Sequence, residues 1–147
     1  MLGRFGTILF VLAAWLAAPG ANAEGALDPH GTWLTQAGDA KVKVTKCSGG
    51  ICGVIVWLKQ PIDSDTGNPA TDNKNPNPAL ARRPMIGLPL FAGMHPAAPN
   101  RWSGQIYNAD DGKTYASKIS VSGPATLKVE GCVGTLCGGE QWSRNSR

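Results

Sequence analysis

From Glu24 onward, apolar side chains never keep a helical spacing for more than a turn or two; they alternate with polar ones. Alternation at period two marks strands with one face in a core, and the frequent Gly and Pro end each strand after a few residues. We read strands at Gly31–Thr35, Asp39–Cys47, Ile51–Lys59, Met85–Phe91, Arg101–Tyr107, Thr114–Ser122, Ala125–Cys132 and Cys137–Arg144. Short connections between seven or eight such strands predict an all-β fold, a small antiparallel up-and-down β-barrel in preference to a Greek-key sandwich.

The segment before these strands has a different character. Arg4 precedes the apolar run Ile8–Leu16, and small residues lead to Ala21-Asn22-Ala23. This is the layout of a cleaved secretory signal spanning residues 1–23, too short and too soon interrupted by Pro19 and Gly20 for a membrane span. The expected mature chain, residues 24–147, is a single domain exported to the periplasm or beyond. Cleavage removes one charged side chain, Arg4, and lowers the formal net charge from +4 to +3. Lys41, Lys43, Lys46, Lys118 and Lys128 are scattered among apolar positions. Nucleic-acid binding, which needs a basic stripe interleaved with aromatics, is not expected.

Export places four cysteines where disulfides persist. They form two matching pairs, Cys47-Ser-Gly-Gly-Ile-Cys52 and Cys132-Val-Gly-Thr-Leu-Cys137. Four cysteines allow three connectivities; two local bridges across hairpin turns suit the Gly-containing spacers, each stabilising by about 2 kcal/mol. Zinc is the rival, but this spacing is not that of a finger. If Cys47 faces Cys52, then Val44 faces Ile55 and Val42 faces Trp57 in the interior, leaving Val54, Val56 and Leu58 outside. In the last hairpin the same logic turns Leu127, Val129, Glu140, Trp142 and Arg144 inward.

Gln60–Arg83 breaks the pattern, being long, rich in Pro, Asn and Asp and nearly devoid of apolar residues. Structureless loops beyond about 15 residues are uncommon in compact domains, which predicts a lid or a packed loop. Asp63-Ser64-Asp65 has a faint calcium-loop flavour but lacks the later glutamate, and Asx turns explain such residues equally well. Asp72 and Arg83 are candidates for an ion pair that pins the loop. No residue set calls for a metal or a cofactor, and no catalytic residue is nominated: His30 and His95 have no neighbouring nucleophile in sequence.

Gly31-Thr32-Trp33 opens the first strand and Trp142-Ser143-Arg144 closes the last. This resembles lipocalins, in which a G-x-W on the first strand packs against an arginine from the final strand. The resemblance implies that Trp33 and Arg144 close the barrel at its base. A broader likeness rests on Cys52-Gly53-Val54-Ile55-Val56-Trp57, Asp72-Asn73-Lys74-Asn75-Pro76-Asn77-Pro78-Ala79-Leu80, Arg83-Pro84-Met85-Ile86-Gly87-Leu88, Gly104-Gln105-Ile106-Tyr107 and Asp111-Gly112-Lys113-Thr114-Tyr115. These segments resemble the bacterial exported family catalogued as domain of unknown function 2147. That likeness implies a small exported β protein and supplies no activity. The chain departs from it at Asn108-Ala109-Asp110, where the family tends toward aspartate and proline.

The leading expectation is a lipocalin-like barrel binding a small hydrophobic or amphipathic molecule, or an envelope component, without covalent chemistry. Trp57, Trp102 and Tyr115 are the expected apolar walls, and Arg83 and Glu140 the polar anchors. The alternative is an envelope interaction or scaffold module with a filled barrel, its Val54/Val56/Leu58 strip meeting a partner or a second copy.

Overall fold

A computed structural model describes residues 27–145; the expected signal segment lies outside the described residues. Eight antiparallel strands run in chain order: β1 Gly31–Leu34, β2 Ala40–Cys47, β3 Gly50–Leu58, β4 Pro89–Ala98, β5 Arg101–Asn108, β6 Lys113–Gly123, β7 Thr126–Val133 and β8 Leu136–Arg144. Each pairs with the next, and β1 pairs with β8 to close the barrel. One short helix, α1 (Pro78–Ala81), lies in the connection between β3 and β4, capped by the Asn77 side chain.

Both hairpin bridges form, Cys47–Cys52 and Cys132–Cys137. The two hairpins nevertheless differ in register. Val133 lies opposite Leu136, so Cys132 and Cys137 face each other directly, and Leu127 meets Trp142 and Val129 meets Glu140. In the first hairpin the turn sits one residue earlier. Ser48 and Gly49 both take positive φ, 41° and 75°, the signature of a two-residue type I′ turn. Cys47 therefore opposes Gly50, and its bridge to Cys52 runs diagonally. The expected register is thus corrected by two residues: Val44 opposes Gly53, and Val42 opposes Ile55.

A second correction follows along the same strand. Lys41 pairs with Trp57 while Val42 pairs with Ile55, so Val56 is an extra residue, a β-bulge. Beyond a bulge the two faces of a strand exchange. Trp57 consequently points outward, 38% exposed with Lys41 Nζ 4.8 Å from its ring, and Leu58 turns inward. The expected outward strip of Val54, Val56 and Leu58 is broken. The fourth strand also differs from expectation, running Pro89–Ala98 instead of Met85–Phe91. Gly93, at φ 66°, absorbs an irregularity against β3, so the strand continues past Phe91 to Ala98. Pro96 is tolerated because it lies past the end of β3 and pairs only with β5.

The core fills the half of the barrel containing the start of β1 and the end of β8: Trp33, Val42, Val44, Ile51, Met94, Ile119 and Leu127 are fully buried or nearly so. At its base Trp33 and Arg144 are directly paired across β1 and β8. The guanidinium lies 4.2 Å from the indole ring. It also donates to three backbone carbonyls, Asp28 at 2.5 Å, His30 at 2.6 Å and Pro124 at 2.7 Å. Gly31 leaves room for this: its φ is 132°, and a Cβ there would sit 2.7 Å from Arg144 Nη1.

Replacing Arg144 by Ala removes a cation–π contact and three charge-assisted hydrogen bonds at a half-exposed site, an expected loss of about 2–3 kcal/mol. Arg144→Lys recovers less than half, since an ammonium cannot present the planar fork to three carbonyls. Urea unfolding followed by tryptophan fluorescence measures both; an Arg144→Ala midpoint equal to the wild type would contradict the role given to the plug.

Candidate functional site

Opposite the plug the barrel is open. A cavity of about 700 Å³ descends from the rim, bounded below by Trp142, Val129 and Ile55 and walled by Leu58, Met85, Leu90 and Ile106. The turn residues Thr35, Gln36 and Asp39, then Asn108–Asp110, then Val133 and Leu136 form its rim. Side-chain periodicity explains why the interior is filled below and empty above. The inward positions of β7 and β8 carry Leu127 and Trp142 at one level and Val129 and Glu140 at the next. At the level above, Gly131 faces Gly138. Two opposed glycines remove the side chains of β7 and β8 from that layer, and a Cβ built at Gly138 would meet nothing within 4 Å.

Glu140 is the polar group at the base of this chamber. It is half-buried, and its Oε1 accepts the Trp142 Nε1–H at 2.5 Å. At the rim the Tyr115 hydroxyl donates to Asp111 Oδ2. That bond raises the Tyr115 pKa above its ordinary value and lowers that of Asp111. The lip formed by the β7–β8 hairpin is apolar, with Val133 and Leu136 70% and 79% exposed.

The segment from Gln60 to Arg83 is a packed strap. Its organising atom group is the Asp72 carboxylate, fully buried. Oδ2 accepts from Arg83 Nε at 3.0 Å and Asn75 Nδ2 at 2.9 Å, and Oδ1 accepts from the Tyr107 hydroxyl at 2.7 Å. The Arg83 guanidinium also lies 5.5 Å from the Tyr107 ring. The strap crosses the β5–β6 turn so closely that a Cβ on Gly112 would fall 2.0 Å from Lys74 O. Beyond it Gly87 N–H donates to Ile55 O at 2.7 Å, which docks the chain on β3 and sets Met85 into the cavity wall.

Residues 31–144 match the family described as an uncharacterized protein conserved in bacteria (DUF2147). The chain belongs to this family. A solved structure with the same architecture is protein HP1028 from the human pathogen Helicobacter pylori, described as belonging to the lipocalin family. It is 22% identical, with a TM-score of 0.68, and the match covers 82% of this chain and 84% of that one. At this identity the likeness concerns the fold, an eight-stranded lipocalin-like barrel. No curated protein matches the chain.

Of the side chains expected to form a site, this family member brings Tyr115 and Glu140 to the cavity and leaves three elsewhere. Trp57 is on the outer surface because of the Val56 bulge. Trp102 packs against Ile119 in the filled half, because the β4–β5 turn lies at the plugged end. Arg83 is held outside the barrel by Asp72. Sequence reasoning missed the Gly131/Gly138 pair that opens the chamber, although both glycines fall on the inward period of strands it identified. His30 contacts a carboxylate, Asp28, at 2.5 Å, but both are exposed at the plugged end in a local turn, with no nucleophile among their partners.

The only two tyrosines of the chain both have raised pKa values, Tyr107 chiefly through burial and then through Asp72, Tyr115 chiefly through Asp111. A phenol whose folded pKa is raised stabilises the fold below its unfolded pKa near 10, and that contribution disappears as pH rises through the folded value. Absorbance titration of the native protein is expected to show both tyrosines ionising above pH 10, and near 10 in urea. Tyr107→Phe should cost about 1.5 kcal/mol at neutral pH and flatten the alkaline decline in stability. Ionisation of native Tyr107, followed in Tyr115→Phe, at or below its urea value would refute the strap contact.

Proposed function

We propose that this chain is an exported, single-domain carrier that binds a small amphipathic molecule inside the barrel without covalent chemistry. The observation that carries the reading is the chamber itself: about 700 Å³, apolar on its walls, open at one end and sealed at the other by a filled core. Ligand pockets are typically of this size and lining, with few polar groups that fix orientation. Glu140 at the base and Tyr115 at the rim supply such groups. Export is supported by the amino-terminal pattern and by two disulfides with no free cysteine among the described residues.

The scaffold alternative draws its motive from an outer apolar strip, which the bulge at Val56 interrupts. We therefore place the function inside the barrel, with Val133 and Leu136 as an apolar lip over which a greasy ligand enters.

Gly138 offers a clean test, because its φ is unexceptional and a side chain there has open space before it. Gly138→Phe should fill the chamber without disturbing the fold. A neutral naphthyl ketone dye, whose emission shifts to the blue in apolar surroundings, is expected to bind the wild type. The variant should bind it at least tenfold more weakly, with an unchanged urea midpoint. Equal binding by both proteins would move the site out of the barrel.

A further inference from the structure

The chamber has a sign. Its lining includes the acids Glu140, Asp39 and Asp110 and, among the described residues, no lysine, arginine or histidine. Yet the protein as a whole is basic, with a formal net charge of +4. The ion pairs among the described residues are Asp28–His30, Asp72–Arg83 and Lys128–Glu130, so none of the three cavity acids is paired. The basic side chain expected inside, Arg83, is consumed by the strap.

From this we infer, resting on the carrier reading, that the ligand is a cationic amphiphile: an aliphatic chain ending in an ammonium group that meets the Glu140 carboxylate at the base of the chamber. Burying a charged head in an apolar cavity requires an opposite charge and hydrogen bonds to its remaining donors. Glu140 supplies the charge half-way down the barrel, among Val129, Ile55 and Trp142. One of its oxygens already takes the indole N–H, leaving the other as the free acceptor. A compact ammonium suits that single acceptor, whereas a guanidinium is matched to a two-oxygen fork. An anionic head, such as a fatty acid carboxylate, would enter with no cation to receive it and with like charges at the rim and base. Asp39 and Asp110 at the rim extend the negative potential to the entrance. The overall positive charge of the protein opposes this preference, so a preference for amines must come from the chamber.

The experiment compares decylamine, decanol and decanoate, each below its micellar concentration at neutral pH, as competitors of the bound naphthyl ketone dye. Decylamine is expected to displace it at a concentration at least tenfold lower than decanoate, with decanol between. In Glu140→Gln the gap between decylamine and decanoate, each measured against that variant's own dye affinity, should shrink to threefold or less. Decanoate equal to or better than decylamine, or a gap unchanged in Glu140→Gln, overturns the inference and leaves the carrier reading standing. Dye bound in the chamber but displaced by none of the three overturns it in the same way. A wild type that binds no dye overturns the carrier reading and this inference with it.

Discussion

The Arg144 guanidinium ties the segment entering β1 and the β6–β7 turn to the end of β8. β1 is only four residues long and shares just two register pairs with β8. So short a ladder is a weak seam for a closed barrel. Arg144 reinforces it from below by binding carbonyls of the segment entering β1 and of the β6–β7 turn, while covering the face of Trp33. The indole N–H in turn donates to Pro29 O at 2.8 Å, so its polar edge is satisfied inside the core. Without this plug the strand edges of β1 and β8 would separate, and an open edge invites pairing with other chains.

The plug also divides the barrel into two halves with different physics. Below, large side chains interdigitate, and Gly53 gives up its side-chain space to the Phe91 ring, which would lie 2.3 Å from a Cβ there. Above, the space in front of Gly138 is not taken over by a neighbouring side chain. A glycine on an inward strand position therefore has two opposite uses in one molecule. It makes room for a protein ring at Gly53 and for open space at Gly138. The disulfide at Cys132–Cys137 lies next to the second of these, bracing a hairpin that has little packing of its own near the tip.

Much of this was legible from residue order. Period-two alternation located all the strands but misplaced the fourth, and the inward set of the last hairpin followed from the cysteine pairing. What failed to show were irregularities that depend on a choice between adjacent residues. Ser48-Gly49 and Gly49-Gly50 are both plausible turns, and the chain takes the first, which shifts β3 by two positions. Nothing in Val54-Ile55-Val56-Trp57 announces that Val56 bulges, since all four residues suit a strand. That single extra residue decides that Trp57 stacks on Lys41 and that Leu58 lines the chamber. The strap was half legible. Asp72 and Arg83 were recognisable as partners, but Tyr107, the third member, lies on a distant strand and is brought there only by closure of the sheet.

The strap explains why the chamber keeps a net charge. A fully buried carboxylate needs several donors, and Asp72 obtains them from Arg83, Asn75 and Tyr107. The arginine nearest in sequence to the cavity residue Met85 is thereby neutralised outside the barrel. On the strands, lysines such as Lys43, Lys118 and Lys128 alternate with core residues and so point to solvent. Strand periodicity thus assigns the basic residues to the outside, and the strap disposes of the remaining candidate. Glu140, two positions from Trp142 and opposite Val129, is placed inside by the same periodicity. The sign of the chamber is therefore a consequence of register: a shift of β8 by one residue would turn Glu140 outward and put Gln141 in its place.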